Sequence, residues 1–339
     1  LATTTGYFAG GFTATSPTNR TDKLTFSTDT TVSATTANLS VARRHASGVS
    51  EGETKGYLAG GDSTSSNTTG IVTTADKVTF SSDTTAAQTS ANLSSARYYA
   101  AGLTEGSTKG YFIGGVTDEN TIPIIIVKTA DKITFSSDTT AAQTSADLPE
   151  KYGSHAACAW AGSTKGYYFG GYSLDTLGFT LLVISDARKY TFSTDSQSAQ
   201  SSANLSVARI GMGACSEGST KCYAAGGDSG AIVATADKTI FSTDTTTAAT
   251  TANLTTARYF LAGTSDGGSK GFFCGGNSGT YTSIADKLVF STDATTAATT
   301  ANLSLSREGL AALGADSGGY SAPPTPVAGI SLLHFGVGI

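Results

Sequence analysis

Charge is scarce in this chain of 339 residues: Asp, Glu, Lys and Arg make up 14% of it, and the formal net charge is −5. A nucleic-acid-binding surface needs a concentrated basic stripe, so nucleic acid is excluded as a partner. Long apolar runs are missing as well. No stretch approaches the roughly 18 apolar residues of a membrane-spanning helix, and no basic-then-apolar signal segment opens the chain. Leu1 stands where an initiator Met would be, so the expectation is a removed leader or a fragment. Histidine occurs three times and cysteine four, with no Cys-x-x-Cys spacing; no metal and no cofactor is expected. Cys222 and Cys274 replace Gly or apolar residues of a repeated phrase and read as buried strand residues. Cys215 and Cys222 flank the turn Ser216 to Lys221, which leaves a disulfide across that hairpin open, Cys158 having no such neighbour.

What is abundant is Thr, Ser, Ala and Gly, in a pattern. An aromatic-x-x-Gly-Gly phrase returns six times, its double glycines at Gly10-Gly11, Gly60-Gly61, Gly114-Gly115, Gly170-Gly171, Gly226-Gly227 and Gly275-Gly276. Asp-Lys-x-x-Phe follows in five of the six units, from Asp22, Asp76, Asp131, Asp237 and Asp286. Recurrence at roughly 50 residues means units that cannot bury a core alone and must stack. In the second copy Tyr57 and Ala59 alternate with Gly56 and Leu58 up to the double glycine. Asp76, Val78 and Phe80 then share one strand face. Ser81-Ser82-Asp83 is turn chemistry, Thr84 to Asn92 reads as a Thr/Ala strand, and Ser95 to Leu103 as another. Four short strands per unit predict an all-β propeller blade.

These residues resemble the kelch and galactose-oxidase-type β-propellers, in which an innermost strand begins near an Arg, a second ends in Gly-Gly and a third carries an aromatic followed by Asp. Arg97, Gly114-Gly115 and Phe135 with Asp138 supply that order. The Trp usual on the outer strand is replaced by Thr and Ala, which shifts the likeness toward Thr-rich kelch-like arrays of phage and bacterial surface proteins. The resemblance implies a six-bladed propeller. The chain enters at a second-strand phrase, Thr5 to Gly11, and ends its repeat with an unmatched innermost one, Ser306 to Tyr320; pairing the two closes the ring and removes free sheet edges. The domain reading is a propeller over 1–322 and a Pro-rich spacer with an apolar docking tail over 323–339.

Candidate sites follow from the same pattern. Arg43, Arg97, Arg209, Arg258 and Arg307 would encircle one mouth of the channel, either as an anion clamp or as scaffold pairing with a carboxylate. His45 and His155 lie two positions beyond the Arg site and read as structural, since only His334 remains to join them. The turn residues Asp29, Asp83, Asp138, Asp195, Asp244 and Asp293 read as turn caps, because each loop offers too few oxygens for calcium. Asn38, Asn92, Asn204, Asn253 and Asn302 form sequons copied with the repeat and read as strand-end polar residues.

Interruptions of the repeat are more informative. Unit three inserts Ile122, Ile124 and Ile126, unit four Phe179, Leu181 and Val183, and the tail carries Leu332, Leu333 and Phe335. These are the expected partner interface, an apolar ridge on the Arg face, unless both inserts merely extend the third strand. The likeness implies a non-enzymatic structural or adhesion module of a virion or cell surface, extracellular, contacting other protein subunits, with glycan as a further partner. The alternative is a secreted lectin or carbohydrate-active enzyme using the channel mouth.

Overall fold

Strand two of every unit begins with a half-buried residue and then turns wholly inward, as Lys55–Ala59 does, because it is flanked on both sides by strands of its own blade. In the computed structural model this repeats as six four-stranded antiparallel sheets arranged in a ring. The structure describes residues 4–52, 54–65, 69–118, 125–148, 152–153, 160–161, 164–174 and 181–314.

From the axis outward, blade two is Ser47–Glu51, Lys55–Ala59, Ala75–Thr79 and Thr84–Ala87. Blade one takes its innermost strand, Ala311–Leu313, from the far end of the propeller and the other three, Thr5–Ala9, Thr21–Thr25 and Thr30–Ser33, from the beginning. Ala9 pairs with Ala311, Phe8 with Ala312 and Tyr7 with Leu313. This is the closure that the unmatched phrases predict.

The innermost strands are short and poor in bulk because they crowd the axis. A Cβ on Gly48 would lie 2.3 Å from the carbonyl oxygen of Ala312 in the neighbouring blade. Side chains enter between blades instead: Tyr57 stacks on Phe135 and Tyr223 on Phe290, each pair bridging adjacent blades.

The outer strands differ from expectation. Thr84 to Asn92 is a strand only over Thr84–Ala87, after which Thr89–Ala91 forms a single 3-10 turn. Asn92 then accepts a hydrogen bond from the Ala75 amide at 2.9 Å, and every unit repeats it, with Asp147 standing in for Asn in the third. The sequon asparagines thus tie the outer turn to strand three. Threonines of the outer strands tie neighbouring blades by hydrogen bonding: Thr85 and Thr295 donate to Ala37 and Ala252 carbonyls of the preceding blades.

The stretch Ser95 to Leu103 is not one strand. The chain breaks at Tyr99, with φ 61°, and the innermost strand begins only at Ala101. The inserts of units three and four do not extend strand three either. Val116–Asp118 pairs with Ile125–Ile126 in a separate two-stranded sheet, and Tyr172–Leu174 pairs with both Leu181–Val183 and Tyr152–Gly153 in a three-stranded one.

Candidate functional site

The Arg that recurs before five of the innermost strands has a partner inside the ring. Arg43 meets Asp76 at 2.9 Å, Arg97 meets Asp131 at 2.5 Å, Arg209 meets Asp237 at 2.9 Å, Arg258 meets Asp286 at 2.6 Å and Arg307 meets Asp22 at 2.8 Å. All five arginines are 0% exposed. A guanidinium also donates to the backbone carbonyl of strand two, as from Arg43 to Leu58 and from Arg307 to Phe8. Burial lowers the pKa of Arg43, Arg97, Arg209 and Arg307, and the paired Asp opposes that shift. These groups lie beneath the mouth, away from any ligand in solvent, and the anion clamp has no exposed guanidinium to work with at these five positions. Blade four loses both halves of the pair together, with Tyr152 at the Arg site and Arg188 at the Asp site.

The turn aspartates form a second ring. Asp29, Asp83, Asp138, Asp195, Asp244 and Asp293 all adopt positive φ, between 49° and 54°. Each then reaches back to the preceding blade: Asp195 receives Lys109 and Lys132, both at 2.8 Å, and the Tyr111 hydroxyl at 2.5 Å. Asp138 is held in the same way by Lys55, Lys77 and Tyr57, and Asp293 by Lys221, Lys238 and Tyr223. Lys270 and Lys287 of the sixth blade grip Asp29 of the first. The sequence reading as turn caps is corrected: they are clamps between blades. Burial raises the Asp195 carboxyl, but the hydrogen bonds from the two lysines and Tyr111 outweigh it and bring it down to about 2.

The axis is closed by side chains two positions after the Arg. His45, Tyr99 and Phe260 have φ of 56°, 61° and 61°, a strain of about 1–3 kcal/mol each. Their rings gather, His45 lying 4.4 Å from Tyr99 and 5.8 Å from Phe260, over the glycine Gly309. Backbone hydrogen bonds run round the ring beneath them, from Phe260 to Gly211, Gly309 to Phe260, His45 to Gly309 and Tyr99 to His45. Burial and the nearby Arg44 hold His45 well below the ordinary histidine range, so it is neutral. His155, Cys158 and His334 lie outside the described residues. Among the described residues no group of three His, Cys, Asp or Glu is placed to hold a metal.

The expected interface residues divide. Ile126, Leu181 and Val183 are buried, packed with Tyr98, Val116, Tyr172 and Ile210 above the axis, because the inserts fold into their own sheets. Ile125, 47% exposed, faces outward in their place. Ile122, Ile124, Phe179, Leu332, Leu333 and Phe335 lie outside the described residues. Cys215, Cys222 and Cys274 are buried and are not disulfide-bonded. Cys215 pairs in register with Tyr223 and Cys222 with Ser216, so the two cysteines project from opposite sheet faces, and the hairpin disulfide is ruled out. Burial pushes the Cys222 and Cys274 thiols up.

Among the described residues a cleft opens at the seam where blade six meets blade one. It is a wide, open cleft of about 630 Å³ lined by Thr13, Thr15, Asn277, Tyr281, Leu305 and Ser306 with small neighbours. Asn277 accepts from the Gly279 amide at 2.8 Å, holding its loop, and its amide donates across the seam to Glu308 at 3.0 Å. Burial raises the Glu308 carboxyl to about 7 against the pull of Asn277 and Arg44. Arg44 itself pairs with Asp62 at 3.0 Å and lies over the Phe12 ring at 4.7 Å, and Phe12 in turn meets Tyr281 edge-on at 6.0 Å. Sequence reasoning missed this cleft. Its signal was present: Tyr281 stands where other units carry Ile71, Ile126, Val183 and Ile232, and Ser306 where they carry Ala42, Ala96, Ala208 and Ala257.

No protein-family model matches this sequence, and no curated protein matches it either.

Proposed function

We propose that the chain is a kelch-like propeller serving as a non-enzymatic structural or adhesion module of a virion or cell surface, outside the cell, working through contacts with other protein subunits and with glycan. One observation carries the reading. The charges that recur from blade to blade are engaged in the ring's own ion pairs, whereas the inserted strands of units three and four and the seam cleft lie in the loops that follow the double glycines. Scaffold residues keep a repeat's symmetry and interaction sites break it. The plug of His45, Tyr99 and Phe260 favours this over a site reached down the channel.

Native mass spectrometry of the full chain, beside a version ending at residue 322, tests the structural part. The proposal expects a defined higher assembly that the shortened chain loses. A strict monomer in both forms at micromolar concentration counts against it.

A further inference from the structure

The seam cleft has three features that together specify a ligand. Its size falls within the roughly 300–1,000 Å³ usual for small-ligand sites. Its lining holds no Lys, Arg, Asp or Glu, in a protein where two of the matching loop positions, Asp62 and Asp228, are acidic and this one is Asn277. Asn277 keeps the loop-capping bond that Asp228 makes to Gly230, and its amide donates to Glu308, a bond that an Asp could not make, so the seam itself holds this wall uncharged.

The departures also agree in chemistry. Tyr281 puts a half-buried aromatic ring where four other units carry Ile or Val and the first carries Pro17, and Ser306 puts an exposed hydroxyl where four other units have the methyl group of Ala. Thr15 adds a second exposed hydroxyl from the opposite wall. An uncharged cleft with one aromatic face and several hydroxyl and amide groups suits a ligand with apolar C–H faces and many neutral hydroxyls. Charged ligands would be desolvated there without a partner.

We propose that the cleft between blades six and one binds a neutral saccharide, with Tyr281 as the stacking platform and Ser306, Thr15 and the Asn277 loop as hydrogen-bonding groups. The proposal rests on the reading of the protein as a surface module and names the site and ligand class within it.

The test uses the full chain and a panel of neutral sugars (glucose, galactose, mannose, N-acetylglucosamine, lactose, maltose, cellobiose and chitobiose) beside sialyllactose and glucuronic acid. Saturation-transfer NMR detects contact and titration calorimetry measures affinity. Tyr281→Ile and Ser306→Ala install residues that the other blades already tolerate, so both variants are expected to melt within about 2 °C of the parent. At least one neutral sugar is expected to bind, and each variant to weaken it by about tenfold or more. Binding of acidic sugars only, undiminished binding by both variants, or no neutral sugar bound at about 20 mM, a ceiling above millimolar affinity, overturns the proposal. Assembly seen by native mass spectrometry is independent of these outcomes, so the saccharide site can fail while the surface-module reading stands.

Discussion

Arg307 and Asp22 meet at 2.8 Å with neither side chain exposed, although the whole propeller lies between them in sequence. The same Arg donates to the Phe8 carbonyl at 3.0 Å, so one guanidinium fastens the last innermost strand to the second and third strands of the first blade. Removing one partner of such a pair leaves the other charge buried and uncompensated. Arg307→Leu is therefore expected to cost about 3–5 kcal/mol in denaturant unfolding. Adding Asp22→Asn to it is expected to recover part of that loss, since the double variant carries no orphan charge. A loss below about 1 kcal/mol for the single variant would show that the pair does not hold the ring.

Asp195→Asn tests the outer clamps. Asparagine tolerates the positive φ of this turn, so the change isolates the charge from the backbone. Holding the carboxyl at about 2 instead of 3.8 corresponds to about 2 kcal/mol at neutral pH. The folded-state pKa is depressed, so this stabilisation is present above pH 3.8 and is lost as pH falls toward 2. Thermal melts are expected to separate parent and variant at pH 7 and to converge near pH 2; a constant gap contradicts the clamp.

Glu308 behaves oppositely. Its folded-state pKa is raised to about 7 from 4.5, so the folded chain holds the proton longer than the unfolded chain does. Stability therefore falls as pH rises from 4.5 through 7, by about 2–3 kcal/mol for this group, which is only 7% exposed. Glu308→Gln keeps an acceptor for Asn277 and removes the titration. It is expected to raise the melting temperature at pH 8 and to leave it unchanged at pH 4. Equal effects at both values contradict the assignment.

The ring, its six units and its closure were legible in the sequence because they depend on period and on unmatched ends, both of which a linear text displays. The clamps were not. Lys77 recurs in all six units like Asp138, and Lys55 and Tyr57 in five each, but their meeting depends on which blade stands beside which, a relation one full unit removed along the chain. The axial plug was hidden by its composition. His45, Tyr99, Gly211, Phe260 and Gly309 share a left-handed backbone, and only the two glycines hint at it. The cleft lay in substitutions such as Ala to Ser306, too small to stand out beside the inserts of units three and four. Those inserts drew attention through their apolar content, yet Ile126, Leu181 and Val183 turn inward because the loops pair with themselves.

Closure underlies both scaffold and cleft, since residues 13–15, the loop from Asn277 to Tyr281, and Leu305 with Ser306 come together only when blade six meets blade one. Ala9 and Ala311 are directly paired across that closing register, and both are 1% exposed. Cysteines placed at paired antiparallel positions lie within disulfide reach. The most direct measurement is therefore peptide mapping by mass spectrometry of Ala9→Cys/Ala311→Cys after mild oxidation, native and in denaturant. A closed ring predicts near-complete linkage of the two peptides in the native protein and little in denaturant. Free thiols at both positions in the folded protein would contradict it.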